Sequence, residues 1–251
     1  MPIAEALGLE KARVIAVVGA GGKTSLIEAL GREFHQCGER VLATTTTRVA
    51  VDEFQGGWRH IADAADARKS LCFLSTGLVA KGQKRSGVVP ESIDRLARQG
   101  EFKRLIVEAD GSRRRPLKVP GPMEPVVPES CDTLIVVMGL SGLGRLLEEN
   151  TVFRAELWGE MAGGGLGVPI TPLDLWQAVT DSRSYGRLFP ALERRILFLN
   201  QLDATDDKSA PARFAELASS QVHPFNRIVI GSLKPTAALI PIWLDYQANI
   251  H

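Results

Sequence analysis

Residues Val17–Thr24 read V-V-G-A-G-G-K-T, set between the apolar run Val14–Val18 and the helical pattern Thr24–Phe34. An apolar strand, a glycine-rich bend, a lysine with a hydroxyl residue and then a helix form a cradle for the phosphates of a nucleotide. Glycines let the backbone turn its N–H groups inward, and the helix N-terminus adds partial positive charge. On this reading Gly19, Ala20, Gly21, Gly22 and Ser25 contribute to the cradle, Lys23 reaches the outer phosphates, and the Thr24 hydroxyl binds Mg²⁺. The usual spacing, G-x-x-x-x-G-K-[ST], wants glycine at position 17, where this chain has Val17. Leu26, Ile27, Leu30 and Phe34 fall on one helical face, which predicts packing against the sheet, with Gly31 interrupting the pattern.

A chain of 251 residues, 45% hydrophobic and 24% charged, has room for one large α/β domain spanning residues 1–251. Thirty Lys and Arg against 29 Asp and Glu leave no electrostatic support for a nucleic-acid partner. The N-terminal segment shows no basic region followed by an apolar stretch, and no apolar run reaches the roughly 20 residues of a membrane helix. A cytoplasmic protein with reduced thiols at Cys37, Cys72 and Cys131 is expected.

Strand-like and helix-like stretches alternate, the pattern of a mostly parallel sheet covered on both faces. Strands are predicted at Val14–Val18, Arg40–Thr45, Ser70–Ser75, Arg104–Glu108, Thr133–Met138, Arg195–Asn200 and Arg227–Gly231. Helices are predicted at Thr24–His35, Glu91–Arg98, Arg154–Met161, Pro172–Val179 and Lys208–Ser219, with Thr171 as an N-cap before Pro172. Two regions break the alternation: a Pro/Arg-rich loop over 111–130 and a Gly-rich stretch over 139–185 that suits a helical insert. Trp158, Trp176 and Trp243 are candidates for core or interface.

Three further segments carry polar chemistry at strand ends, where ligands bind in open α/β sheets. In L-A-T-T-T-T-R (Leu42–Arg48), Thr46 and Thr47 sit nearest the strand end and offer hydroxyls to Mg²⁺ or a γ-phosphate. In L-I-V-E-A-D-G-S (Leu105–Ser112), Glu108 and Gly111 match the spacing of a D-x-x-G switch element, and Glu108 is a candidate for holding Mg²⁺, with Asp110 its rival. In I-L-F-L-N-Q-L-D (Ile196–Asp203), Asn200 and Asp203 resemble a guanine-reading N-K-x-D element. An aspartate accepts from guanine N1–H and the 2-amino group, whereas adenine N1 is itself an acceptor. The basic residues Arg113, Arg114, Arg115 and Lys118 follow the Glu108 segment, placed to clamp a second anionic substrate or to supply a transition-state arginine.

Together VVGAGGKTSL, TTTTR, VEADGSRRRPLKVPGPMEPVVP, GLSGLG with NTVFRAE, and the strand ending in NQLD resemble the YqeC family over essentially the whole chain. Met123 stands where the family usually has histidine before Glu-Pro, Phe153-Arg154 where it has histidine-arginine, and Asn200-Gln201 where it has Asn-Lys. The resemblance implies a P-loop NTPase-like three-layer sandwich and an accessory role in maturing the molybdenum cofactor of selenium-dependent hydroxylases. The expected function is a Mg²⁺-dependent NTPase, GTP ahead of ATP, with Lys23, Glu108, Asp110 and Arg113 at the chemistry. Its expected partners are a molybdenum hydroxylase or sulfurtransferase. The alternatives are a kinase or nucleotidyltransferase acting on a pterin-type anionic molecule, and a non-catalytic nucleotide-dependent docking switch.

Overall fold

The computed structural model describes residues 1–67, 71–79 and 81–234, and the backbone of 240–242. Its strands in chain order are β1 (Val14–Gly19), β2 (Val41–Thr45), β3 (Arg48–Ala50), β4 (Arg59–Ile61), β5 (Cys72–Leu74), β6 (Gly77–Val79) and β7 (Lys84–Ser86). There follow β8 (Arg104–Glu108), β9 (Leu117–Lys118), β10 (Thr133–Gly139), β11 (Val152–Phe153), β12 (Arg194–Asn200), β13 (Arg227–Ile230) and β14 (Ile240–Ile242). The helices are α1 (Ile3–Leu7), α2 (Lys23–Gln36), α3 (Pro90–Gln99), α4 (Ala155–Ala162), α5 (Pro172–Thr180) and α6 (Ala210–Ser220).

Nine strands form the main sheet in the order β14-β13-β12-β10-β1-β8-β2-β5-β4. All neighbours run parallel except β14 against β13. The central strands are apolar throughout because both faces are covered. Ile15 and Val17 of β1 pack with Leu26, Ile27, Leu30 and Phe34 of α2 on one face. Val14, Ala16 and Val18 share the opposite core with Ile93 of α3, Trp158 of α4, Leu175 of α5 and Phe214 of α6. The result is the three-layer α/β sandwich that the alternation of strands and helices predicts.

Trp158 and Trp176 are core residues; Trp243 lies outside the described residues, as does Ser70 at the start of the expected third strand. Gly31 lies in α2 because the Trp58 indole occupies its side-chain position: a Cβ there would fall 2.5 Å from the ring. Thr171 caps α5 in a reciprocal capping box with Asp174, and Pro172 takes the first helical turn. Within the 111–130 loop, β9 pairs in parallel with β11, so part of the proline-rich stretch is strand. The 139–185 stretch is helical at α4 and α5. Among the described residues, no helix is long and apolar enough to cross a membrane.

Candidate functional site

The strand order puts β8, distant in sequence, directly beside β1. Its register sets Glu108 opposite Val17 on one side and Thr45 on the other. Val17 is buried mid-strand, and β1 runs on to Gly19, so the bend is confined to Ala20–Gly22. That explains the missing glycine: position 17 is strand here, not loop. Gly19, Gly21 and Gly22 have φ of 96°, 80° and 120°, a region open to glycine and costly for other residues. At Gly19 and Gly21 an added Cβ would also strike the backbone of Val137 and Gly139.

Much of the bend is already hydrogen-bonded. Gly19 N–H donates to both carboxylate oxygens of Asp110 at 3.1 Å. Ala20 N–H donates to Val137 O at 2.8 Å and Gly21 N–H to Arg115 O at 3.2 Å. Beyond them α2 begins with no side-chain cap, and the N–H groups of Gly22, Lys23, Thr24 and Ser25 find no acceptor among the described residues. A 14-residue helix therefore opens with a set of vacant donors at its positive end. Gly22, Lys23, Thr24 and Ser25 line a cavity of about 1060 Å³ together with Glu108, Glu53, Arg113, Arg115 and Gln201.

Lys23 is 3% exposed. Its ammonium donates to Gly19 O at 2.9 Å and lies 3.4 Å from Glu108 and 3.2 Å from Asp110. Burial works against the charged form, but Asp110 and then Glu108 outweigh it and raise the lysine pKa. Burial lifts the Glu108 carboxyl to about 7, against the pull of Lys23. Its Oε2 is buried, has no hydrogen-bond partner among the described residues and belongs to a residue lining the cavity. Thr24 donates its hydroxyl to Glu53 at 3.2 Å, and burial raises the Glu53 pKa. Glu53 has no local sequence signal; it arrives from the segment after β3.

Asp110 is fully buried and fully committed. Besides Gly19 and Lys23 it takes an ion pair from Lys118 at 2.9 Å and a hydrogen bond from Tyr185 at 3.4 Å. Lys118, expected to face a client or phosphate, is itself 0% exposed. It pairs with Glu124 at 2.7 Å, and Glu124 accepts from Arg154 at 2.9 Å. The threonines are cross-ties: Thr46 donates to Val126 O at 2.8 Å, while the Thr47 hydroxyl meets that of Thr45 at 3.1 Å, and neither lines the cavity.

On the other side of the bend, Asn200 Nδ2 donates to Gly21 O at 2.8 Å and its Oδ1 accepts from Leu233 N–H at 3.2 Å. Asn200 thus ties the glycine bend to the loop after β13. Asp203 accepts from the Ser232 hydroxyl and pairs with Lys234 at 2.5 Å. The hydrogen bonds of Lys234 and Ser232 hold its carboxyl below the usual range. Of this segment Gln201, not Asp203, lines the cavity.

A family model described as YqeC protein matches residues 15–156. A relative from Escherichia coli (strain K12), described as "Uncharacterized protein YqeC", is 32% identical over 241 residues, covering 93% of each chain. No solved structure gives a significant match.

Proposed function

The chain belongs to the YqeC family, and from that premise we propose a Mg²⁺-dependent nucleoside triphosphate-binding protein that hydrolyses its nucleotide in the cytoplasm as an accessory factor in molybdenum-cofactor maturation. The observation carrying the nucleotide is the uncapped start of α2, whose vacant N–H groups belong to residues lining the cavity, Lys23 among them. Such a terminus favours polyphosphate through directed donors and helix charge.

The oxygen set fits a hard cation. Thr24 and Glu108 would hold Mg²⁺, with Glu53 beside them, and the unpartnered Glu108 Oε2 is the orphan such an ion would satisfy. Bound Mg²⁺ would offset charge on the outer phosphates. Lys23, whose ammonium rests on Gly19 O, Glu108 and Asp110, would turn from them to the same oxygens as nucleotide binds, while Arg113 and Arg115 line the cavity from the loop side. A preference for GTP rests on the likeness of Asn200–Asp203 to a guanine-reading element; Asp203 itself is tied to Ser232 and Lys234 outside the cavity lining.

The molybdenum role comes from the family resemblance. Its expected consequence is loss of molybdenum-hydroxylase activity, at unchanged hydroxylase amount, in cells lacking this protein. The nucleotide reading is tested by titrating GTP, ATP and CTP with and without Mg²⁺. GTP should bind tightest, and Thr24→Ala should weaken only the Mg²⁺-dependent component. No binding of any triphosphate at millimolar concentration overturns it.

A further inference from the structure

The cavity extends past what one nucleotide needs. Gln201 follows β12, which lies two strands to one side of β1, and Arg48 opens β3 just after β2, which lies two strands to the other side. Four strand spacings of about 4.8 Å put β12 and β2 roughly 19 Å apart, with β1 and its phosphate cradle between them. A nucleotide whose base lies toward Gln201 fills the β12 side and leaves the β2 side vacant.

That side carries an excess of cations. Arg48 and Ala50 of β3 face Lys84 of β7, since Ala50 pairs with Lys84 in an antiparallel register and alternate residues share a face. Arg48, Lys84 and Arg115 line the cavity and have no carboxylate within ion-pair distance among the described residues. Arg113 also lines it, with its guanidinium stacked on Phe153 at 4.8 Å. Of the acids on this side, Asp52 pairs with Arg114 at 2.9 Å, and Glu53 accepts from the Thr24 hydroxyl. Arg113 and Arg114 hold φ of 49° and 59° in succession. Non-glycine residues adopt that region at a cost, and such strain concentrates at ligand-binding segments. With Glu28, Asp52, Glu53 and Glu108 also in the lining, cations still outnumber acids there, and guanidinium and ammonium groups in excess are the chemistry of phosphate capture.

We propose that the β2 side of the cavity, between the β3–β7 pair and Arg113–Arg115, binds a second small molecule bearing a phosphate or pyrophosphate group, next to the outer phosphate of the nucleotide. This rests on the phosphate-cradle reading above.

The probe is inorganic pyrophosphate, titrated calorimetrically into protein saturated with Mg²⁺ and a non-hydrolysable GTP analogue, at physiological ionic strength. Wild type should bind one equivalent. The double variant Arg48→Ala with Lys84→Ala should bind it at least about tenfold more weakly, the weight of one charge-assisted contact. Its circular dichroism and its affinity for the analogue should match wild type. Analogue binding without pyrophosphate binding overturns this proposal alone. So does a double variant that loses analogue and pyrophosphate affinity alike, because the two cations would then serve the nucleotide. Failure of the analogue to bind wild type overturns the nucleotide reading, and this proposal with it.

Discussion

Side by side, Glu108, Lys23, Asp110, Lys118, Glu124 and Arg154 form a run of alternating charges, each within 3.4 Å of the next. Alternation is what makes the burial of so many charges tolerable, since each of the four inner members is paired on two sides. Removing a middle member leaves two like charges adjacent. Lys118→Met should therefore destabilise the protein by about 3–5 kcal/mol in urea unfolding, and adding Glu124→Gln should recover part of that loss. Burial pushes the Glu124 carboxyl up, but hydrogen bonds from Arg154 and Lys118 hold it at about 2, below its ordinary 4.5. A depressed folded pKa means stability present above 4.5 and lost as pH falls toward 2. The gap between wild type and Glu124→Gln should close over that window; with Glu124 only half-buried, its size is on the order of 1 kcal/mol. The sequence offered Glu108 and Asp110 as rivals, and geometry separates them: Asp110 has every oxygen engaged, whereas Glu108 keeps one unpartnered. Glu53, Glu124 and Tyr185 were illegible because their roles come from contacts made between distant segments.

Elements were more legible, because periodicity and caps are local. Thr171 and Pro172 announce the start of α5 by chemistry confined to four residues. Thr171→Ala should cost about 1 kcal/mol, measured as a drop in urea midpoint without a change in slope. The short strands β3, β4, β6 and β7 were missed: each has three residues, too few to show a period. Gly31 looked like a flaw in α2 and is instead a recess for Trp58. Alanine is intrinsically better in a helix by about 1 kcal/mol, yet its methyl would collide with a rigid ring. Overpacking of that kind costs about 1–3 kcal/mol, so Gly31→Ala should destabilise despite the propensity gain. Gly31→Ala in a Trp58→Leu background should be neutral or stabilising relative to Trp58→Leu alone, which the same unfolding curves would show.

Across the whole molecule, alternation of strands and helices made a parallel sheet legible, but not the insertion of β8 between β1 and β2, which no local pattern encodes. That insertion builds the site, because it sets Glu108 beside Val17 and within 3.4 Å of the Lys23 ammonium. The proposed ligand therefore bridges segments spread from Gly22 to Gln201, and unfolding scatters all of them. A ligand that binds only the folded state stabilises it by about 2.7 kcal/mol at 100 times Kd. For a chain of this size each kcal/mol is worth roughly 2–4 °C in Tm, so Mg²⁺ with GTP should raise Tm by about 5–11 °C. Lys23→Ala should start lower than wild type, because Glu108 and Asp110 lose the cation they share. It should also show no increment with nucleotide in differential scanning calorimetry. Thr24→Ala, whose hydroxyl hydrogen-bonds only to Glu53 among the described residues, should start near the wild-type Tm and keep the increment seen without Mg²⁺. A wild-type increment in Thr24→Ala with Mg²⁺ present would remove Thr24 from the cation site while leaving the cradle intact.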